Sequence, residues 1–344
     1  MRATTIHAPR DVRVEDVEHP GIEEPTDAIL KVEAACVCGS DLWTYRGIND
    51  IPRPRRMGHE YVGTITELGP EAVALNPALE VGDFVVGSFC TSENTCEVCQ
   101  AGFQSVCPNG HGVGKAQAEY VRVPDAAGTL VVVPGGKPAD PAVLLSLLAA
   151  SDVFGTGWFA ADSAGAGPGK TIAVVGDGAV GLLGVLSARA MGAERVIVFS
   201  RHPDRQALAR EFGATDIVEL RGDEGAAAVK ELTDGYGAHG VIEAVGTQEA
   251  MLQAIHSARP GGKVGFVGVS HDVNIPGELL FRTGVQVAGG AAPVRRYLPE
   301  LITLILEGKV NPGRVFTRTR PLDEAPAAYA DMDERREIKV ALLP

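Results

Sequence analysis

The sequence of 344 residues predicts an α/β protein of two domains, one built on a doubly wound parallel sheet. Three observations predict this. Apolar strands alternate with helix-length amphipathic segments through the second half of the chain, which is the pattern of a parallel sheet with helical crossovers. The first half instead reads as short β segments between glycine and proline turns. Hydrophobic residues make up 45% of the chain and aromatic ones only 5%, so the apolar positions are mainly Ala, Val, Leu and Ile, as in a sheet buried on both faces. The length, about twice that of a typical domain, is consistent with two domains.

In the first half, Ala28–Ala34, Gly63–Leu68 and Phe84–Ser88 are examples of the short strands. The pattern changes near Lys170. Thr171–Gly176 (TIAVVG) is an apolar strand, and Gly178–Met191 has helical periodicity that stops at Gly192. Strand Arg195–Ser200 is followed by helix Pro203–Phe212, then short strand Asp216–Glu219 and helix Asp223–Thr233. Strand Gly240–Val245, helix Gln248–Ala258 and strand Lys263–Val269 complete the alternation. A helix at Tyr297–Glu307 and a strand-like Ile338–Leu343 close the chain.

The turn after the strand Thr171–Gly176 is Gly176-Asp177-Gly178-Ala179-Val180-Gly181, a G-x-G-x-x-G between a strand and a helix. In that context the glycines permit the tight turn, the close approach of a pyrophosphate and the packing of helix on strand. The pyrophosphate is then expected over the free N–H groups of Gly178, Ala179, Val180 and Gly181. This is the Rossmann dinucleotide fingerprint. A site for NAD(H) usually carries Asp or Glu at the end of the next strand. Here Ser200-Arg201-His202 stands there. A hydroxyl and a guanidinium suit a 2′-phosphate, so NADP(H) is expected over NAD(H).

Charge excludes several function classes. The formal net charge is −13, which repels nucleic acid phosphates and anionic membranes. The longest apolar region, Ala142–Ala150, is too short to span a bilayer. Met1–Arg13 carries charges and lacks a continuous apolar core, so no secretory signal is expected and the cytoplasm is the default location. All six cysteines, Cys36, Cys38, Cys90, Cys96, Cys99 and Cys107, lie in the first third. In a reducing compartment such clustering points to metal rather than to disulfides. A zinc finger for nucleic acid does not fit the acidic surface.

Cys38-Gly39-Ser40-Asp41 is followed by Gly58-His59-Glu60, so a thiolate and an imidazole, both good zinc ligands, precede the dinucleotide fold. With the Cys90–Cys107 loop, the Gly176–Gly181 fingerprint and the closing Lys339-Val340, these elements give the chain a nearly full-length resemblance to the zinc-containing medium-chain alcohol dehydrogenases. The resemblance implies a mainly β GroES-like catalytic domain at 1–152 and 294–344, with the NADP-binding Rossmann domain at 153–293. It also implies a catalytic zinc held by Cys38, His59 and a third ligand. Many members use a cysteine there; the stretch Ser151–Trp158 instead resembles bacterial NADP-linked secondary alcohol dehydrogenases, which place an aspartate, here Asp152. Glu60 resembles a carboxylate that lies beside the zinc and can replace solvent. Asp41 is expected to accept the free N–H of His59 and fix its tautomer.

The same resemblance implies a structural zinc in a C-x2-C-x2-C-x7-C loop. Cys96, Cys99 and Cys107 match its last three positions, and Glu93 stands at the first. Either Glu93 is the fourth ligand or Cys90 reaches in. Ser40 resembles the relay hydroxyl that takes the substrate proton. The histidine that continues the relay in some members is replaced by Trp43, which, like Phe89, aligns with the substrate pocket. The implied reaction is hydride transfer between an alcohol, aldehyde or ketone and NADP(H), by a homodimer or homotetramer. The competing readings are a zinc-free quinone or enone reductase on the same fold and a non-catalytic NADP(H)-binding redox sensor.

Overall fold

The computed structural model describes residues 1–344. The chain divides into two compact units, Met1–Asp152 with Pro293–Pro344, and Val153–Ala292. Pro293, expected to close the second domain, belongs to the first, because it caps the helix Val294–Leu306 and packs with it.

The strands, in chain order, start with β1 (Arg2–Ala8), β2 (Asp11–Asp16), β3 (Ala28–Cys36), β4 (Arg55–Arg56), β5 (Tyr61–Leu68), β6 (Phe84–Gly87), β7 (Tyr120–Val123) and β8 (Leu130–Val132). The second unit contributes β9 (Thr171–Val175), β10 (Arg195–Phe199), β11 (Asp216–Val218), β12 (Ala238–Glu243), β13 (Ala258–Phe266) and β14 (Gln286–Gly289). The chain returns to the first unit as β15 (Phe316–Pro321) and β16 (Lys339–Leu343).

The main sheet of the first unit runs β15-β16-β3-β5-β6-β8, with β7 also paired to β3, and a smaller sheet runs β2-β1-β4. Strand β3 (AILKVEAAC) is central and mostly buried, which explains its nearly unbroken apolar sequence. Leu30, Tyr61, Ile65, Val85 and Leu130 form the core beneath it. The register positions chemistry: Ala35 pairs with Tyr61 and Cys36 with Ala341. The residues just beyond β3 (Val37, Cys38) therefore lie beside those just before β5 (His59, Glu60) and beside Lys339, which opens β16.

The second unit is a six-stranded, wholly parallel sheet in the order β11-β10-β9-β12-β13-β14. Strand order reverses at β9, so the glycine turn that follows β9 sits at the switch point of a doubly wound sheet. Ile197, Val241, Val264 and Met251 are among its core residues. Two helices not anticipated from periodicity flank the boundary, Pro141–Ala150 and Val153–Ser163. The first starts at Asp140, whose side chain accepts from the N–H of Ala142, with Pro141 at its first position. The second contains Gly155 and Gly157, which weaken its helical signal. A Cβ on Gly157 would lie 2.7 Å from the backbone N of Gly184, so glycine is there to let two helices approach. No single helix is long and apolar enough to cross a membrane.

Candidate functional site

Four predicted side chains converge in the first unit. The ligand atoms of Cys38, His59, Glu60 and Asp152 all lie within 4.8 Å of one another. His59 Nε2 is 3.3 Å from Asp152 Oδ2, and Cys38 Sγ is 3.9 Å from the same oxygen. Donors about 2.0–2.3 Å from one tetrahedral ion lie roughly 3.3–3.8 Å apart, so the His59–Asp152 pair has the spacing of a shared zinc and the Cys38–Asp152 pair is just beyond it. Glu60 Oε2 is buried without a hydrogen-bond partner, a second sign of a site built for a cation.

The backbone delivers these groups for local reasons. Gly58 has φ of +96°, and a Cβ there would lie 2.5 Å from the backbone N of Gln117, so only glycine fits the turn that presents His59. Asp152 sits between the helices ending at Ala150 and starting at Val153. It is only 8% exposed, and its carboxylate faces His59.

Electrostatics make the cluster cation-seeking. Burial opposes the His59 imidazolium, but Cys38, Asp41 and Asp152 outweigh it and raise its pKa well above the ordinary value. Burial, then Glu60, raises the Cys38 thiol, with Lys339 and His59 opposing. Burial also raises Glu60, against the pull of Lys339. Lys339 Nζ donates to Glu60 Oε1 (2.7 Å) and to Val37 O (3.2 Å), and both side chains are buried.

Asp41 is where the sequence placed it. Its Oδ1 is 3.5 Å from His59 Nδ1, while Oδ2 accepts from the N–H of Cys38 (3.0 Å) and from Gln117 Nε2 (3.2 Å). Tyr329 donates to Gln117 Oε1 (3.0 Å), and Gln117 Nε2 also donates to Cys36 O. Gln117, Tyr329 and Lys339 were not singled out from sequence as site residues; no short spacing links them to Cys38 or His59. Ser40 is half-buried just before the short helix Asp41–Tyr45 and makes no capping bond to it. Trp43 is half-buried on that helix. Phe89 meets the His59 ring edge-on at 6.3 Å between centroids.

The cysteine loop assembles only in part. Cys96, Cys99 and Cys107 come together, with Cys96 and Cys107 Sγ 3.9 Å apart. Neither expected fourth donor joins them. The Glu93 carboxylate is outside the group and accepts from Asn109 Nδ2 (3.2 Å); the backbone N–H of Glu93, not its side chain, turns to Cys107. Cys90 lies elsewhere, in a bridge to Gly112. Burial pushes its thiol up to about 12, with Asp152 raising it and His59 lowering it, so it belongs to the surroundings of the first cluster. The loop retains features of a thiolate nest. Burial raises the Cys107 thiol, but N–H groups of Glu93 and Asn109, together with Cys99 and Cys96, outweigh this and lower it overall. The N–H of Cys99 points at Cys96 Sγ (3.5 Å).

In the second unit the glycine turn has the shape that a dinucleotide needs. Gly176 has φ of +116°, and a Cβ on Gly181 would lie 2.0 Å from Gly176 O. A Cβ on Gly178 would meet no protein atom within 4 Å, so the open side of the turn is free for a phosphate. Ala179 and Val180 form the first turn of the helix Ala179–Ala190, capped by Gly178. Ser200 follows β10 and is buried, Arg201 is exposed, and His202 caps the helix Pro203–Glu211 with its Nε2 buried and unpartnered.

These geometries sit in matching family frames. Residues 24–135 match the alcohol dehydrogenase GroES-like domain and residues 179–307 the zinc-binding dehydrogenase domain. A Mycobacterium tuberculosis protein, named a probable zinc-binding alcohol dehydrogenase, is 36% identical, the match covering 100% of this chain and 89% of that one. The chain belongs to the zinc-containing medium-chain alcohol dehydrogenase family. Among solved members, an alcohol dehydrogenase of Thermus sp. ATN1 superposes with a TM-score of 0.89 at 30% identity, covering 100% of this chain and 99% of the other. A Sinorhizobium meliloti 1021 protein of the zinc-binding dehydrogenase type, solved bound to NADP, gives 0.83 at 27% identity, covering 100% and 99%. Membership of this family makes the chain an oxidoreductase with a GroES-like domain and a parallel-sheet Rossmann-like domain.

Proposed function

We propose that the chain interconverts a small-molecule alcohol with its aldehyde or ketone, using zinc and NADP(H). The convergence of Cys38, His59, Glu60 and Asp152 within 4.8 Å carries this reading. Cys38, His59 and Asp152 would hold the ion, with Glu60 beside them as a further donor. Zinc bound there supplies Lewis acidity that lowers the pKa of a substrate hydroxyl, and the nicotinamide supplies the hydride acceptor.

The chain's own residues do the rest. Asp41 holds the His59 ring through Nδ1 and keeps Nε2 turned inward. Gln117 holds Asp41 in turn, and Tyr329 holds Gln117. Ser40, whose hydroxyl makes no capping bond to the adjoining helix, would relay the substrate proton, taking it up as it releases its own. Trp43 stands in place of a further relay group, so the onward path of that proton differs from that of family members with a histidine there. Phe89 beside His59 gives the site an apolar wall that keeps water from the reacting atoms.

Gly176, Gly178, Ala179, Val180 and Gly181 take the pyrophosphate, and Ser200, Arg201 and His202 favour the 2′-phosphate of NADP(H). Cys96, Cys99 and Cys107 are assigned to a structural zinc, with the fourth position left to a donor outside the group that the three thiols form. Six unpaired cysteines fit a reducing, cytoplasmic location, and assembly as a homodimer or homotetramer follows from the family resemblance. The donor set weighs against the zinc-free reductase and the non-catalytic sensor, neither of which needs it.

The test is oxidation of NADPH and of NADH on a panel of aldehydes, ketones, enones and quinones. Carbonyl-dependent turnover with NADPH preferred at least about tenfold in kcat/KM supports the reading. Turnover confined to enones and quinones contradicts it.

A further inference from the structure

The residue between the first two glycines of the turn is an aspartate, and the sequence reading gives it no role. Strand β10 runs beside β9 with Phe199 opposite Val175, so Ser200 comes level with Gly176 and reaches its neighbour. Ser200 Oγ donates to Asp177 Oδ2 at 2.8 Å. Arg205, in the first turn of the helix Pro203–Glu211, donates from Nη1 to Asp177 O at 2.9 Å and lies 3.6 Å from Asp177 Oδ1. The Arg205 and Asp177 side chains are 12% and 18% exposed, so water screens this charge pair only partly.

We propose that Asp177 is a specificity-determining residue, an internal anion that competes with the cofactor 2′-phosphate for Ser200 and Arg205. The inference rests on the dinucleotide reading of the Gly176–Gly181 turn. A carboxylate between a hydroxyl and a guanidinium has the donor set that a 2′-phosphate would take. Asp177 engages both donors, and its own charge repels a second anion. Toward an unphosphorylated ribose it acts in the opposite sense, as an acceptor for the 2′-hydroxyl. Selectivity for NADP(H) is therefore held below what Ser200 and Arg201 alone would give, and Arg205 contributes to 2′-phosphate binding once Asp177 is neutral.

The experiment is calorimetric titration of the full chain with adenosine 2′,5′-bisphosphate and with adenosine 5′-monophosphate, for wild type, Asp177→Asn and Asp177→Ser. Both variants are expected to bind the bisphosphate about tenfold more tightly, the size of one partly screened charge pair. Binding of the monophosphate stays the same or weakens. A bisphosphate-to-monophosphate affinity ratio unchanged in both variants overturns the proposal. So does equal weakening of both ligands in chains that melt as wild type does. The wild-type ratio by itself tests the NADP(H) preference: a wild type favouring the monophosphate ends that preference, while the shift on substitution still decides the role of Asp177. Binding of neither ligand by any of the three chains overturns both.

Discussion

Asp152 and Asp41 both face His59, one on each ring nitrogen, and the two sides have different consequences. Asp152 also reaches Cys38, so it completes a donor set. Asp41 binds backbone and Gln117, so it orients the ring. Asp152→Ala is expected to lose the catalytic zinc and nearly all turnover, read by metal analysis beside kcat. Gln117→Leu removes the N–H that steadies Asp41 and leaves the zinc ligands intact. It is expected to weaken zinc binding about 10- to 100-fold, the usual effect of losing outer support, measured by competition with a chelator. Cys38, His59, Asp41 and Asp152 were legible because a thiol, an imidazole and carboxylates stood in family order before a dinucleotide fold. Gln117, Tyr329 and Lys339 were not, because each reaches the site only through long-range pairing, and Gln and Tyr signal nothing when they stand alone.

At the scale of elements, the ends of three strands make the site. Strands β3, β5 and β16 bring Val37, Glu60 and Lys339 together, and the Glu60–Lys339 pair is closed from water. Removing one member of a buried pair leaves the other charge uncompensated. Lys339→Met is therefore expected to destabilise the fold by about 3–5 kcal/mol, measured by denaturant unfolding. Gly181→Ala places a methyl 2.0 Å from a carbonyl oxygen and must displace the turn. Loss of dinucleotide affinity with little change in zinc content is the expected result, read by titration with NADPH. The strands and helices of the parallel sheet were readable from their two periodicities. The helices Pro141–Ala150 and Val153–Ser163 were not, since one is apolar on nearly all faces and the other carries two glycines that serve packing. The sequence left the fourth ligand of the cysteine loop open between Glu93 and Cys90, because register cannot tell a side chain that faces a site from a backbone N–H that does. Cys90 was ambiguous for a related reason: it is close to the loop in sequence and close to His59 and Asp152 in charge.

Across the whole molecule, the chain crosses from the first unit to the second at Asp152 and returns at Pro293, so a proposed zinc ligand is the last residue before the crossing. Acid sensitivity is also built in. Burial raises the Asp331 carboxyl, but Arg320 and Arg336 outweigh it and hold it below the usual range. A folded pKa below the unfolded one adds stability above the unfolded value, and that stability is lost as pH falls through the folded value. Between about pH 5 and pH 2, wild type is expected to lose more stability than Asp331→Asn does, read by unfolding at each pH.

We have proposed the Cys38–His59–Asp152 cluster as a catalytic zinc site. The most direct measurement is zinc per chain by elemental analysis, made on wild type, Asp152→Ala and Cys96→Ser and paired with NADPH-dependent carbonyl reduction. Wild type with two ions, Asp152→Ala with one ion and no turnover, and Cys96→Ser with one ion and retained turnover is the predicted pattern. Full zinc retention by Asp152→Ala, or a wild type that turns over carbonyls without zinc, would overturn the assignment of a catalytic zinc to this cluster.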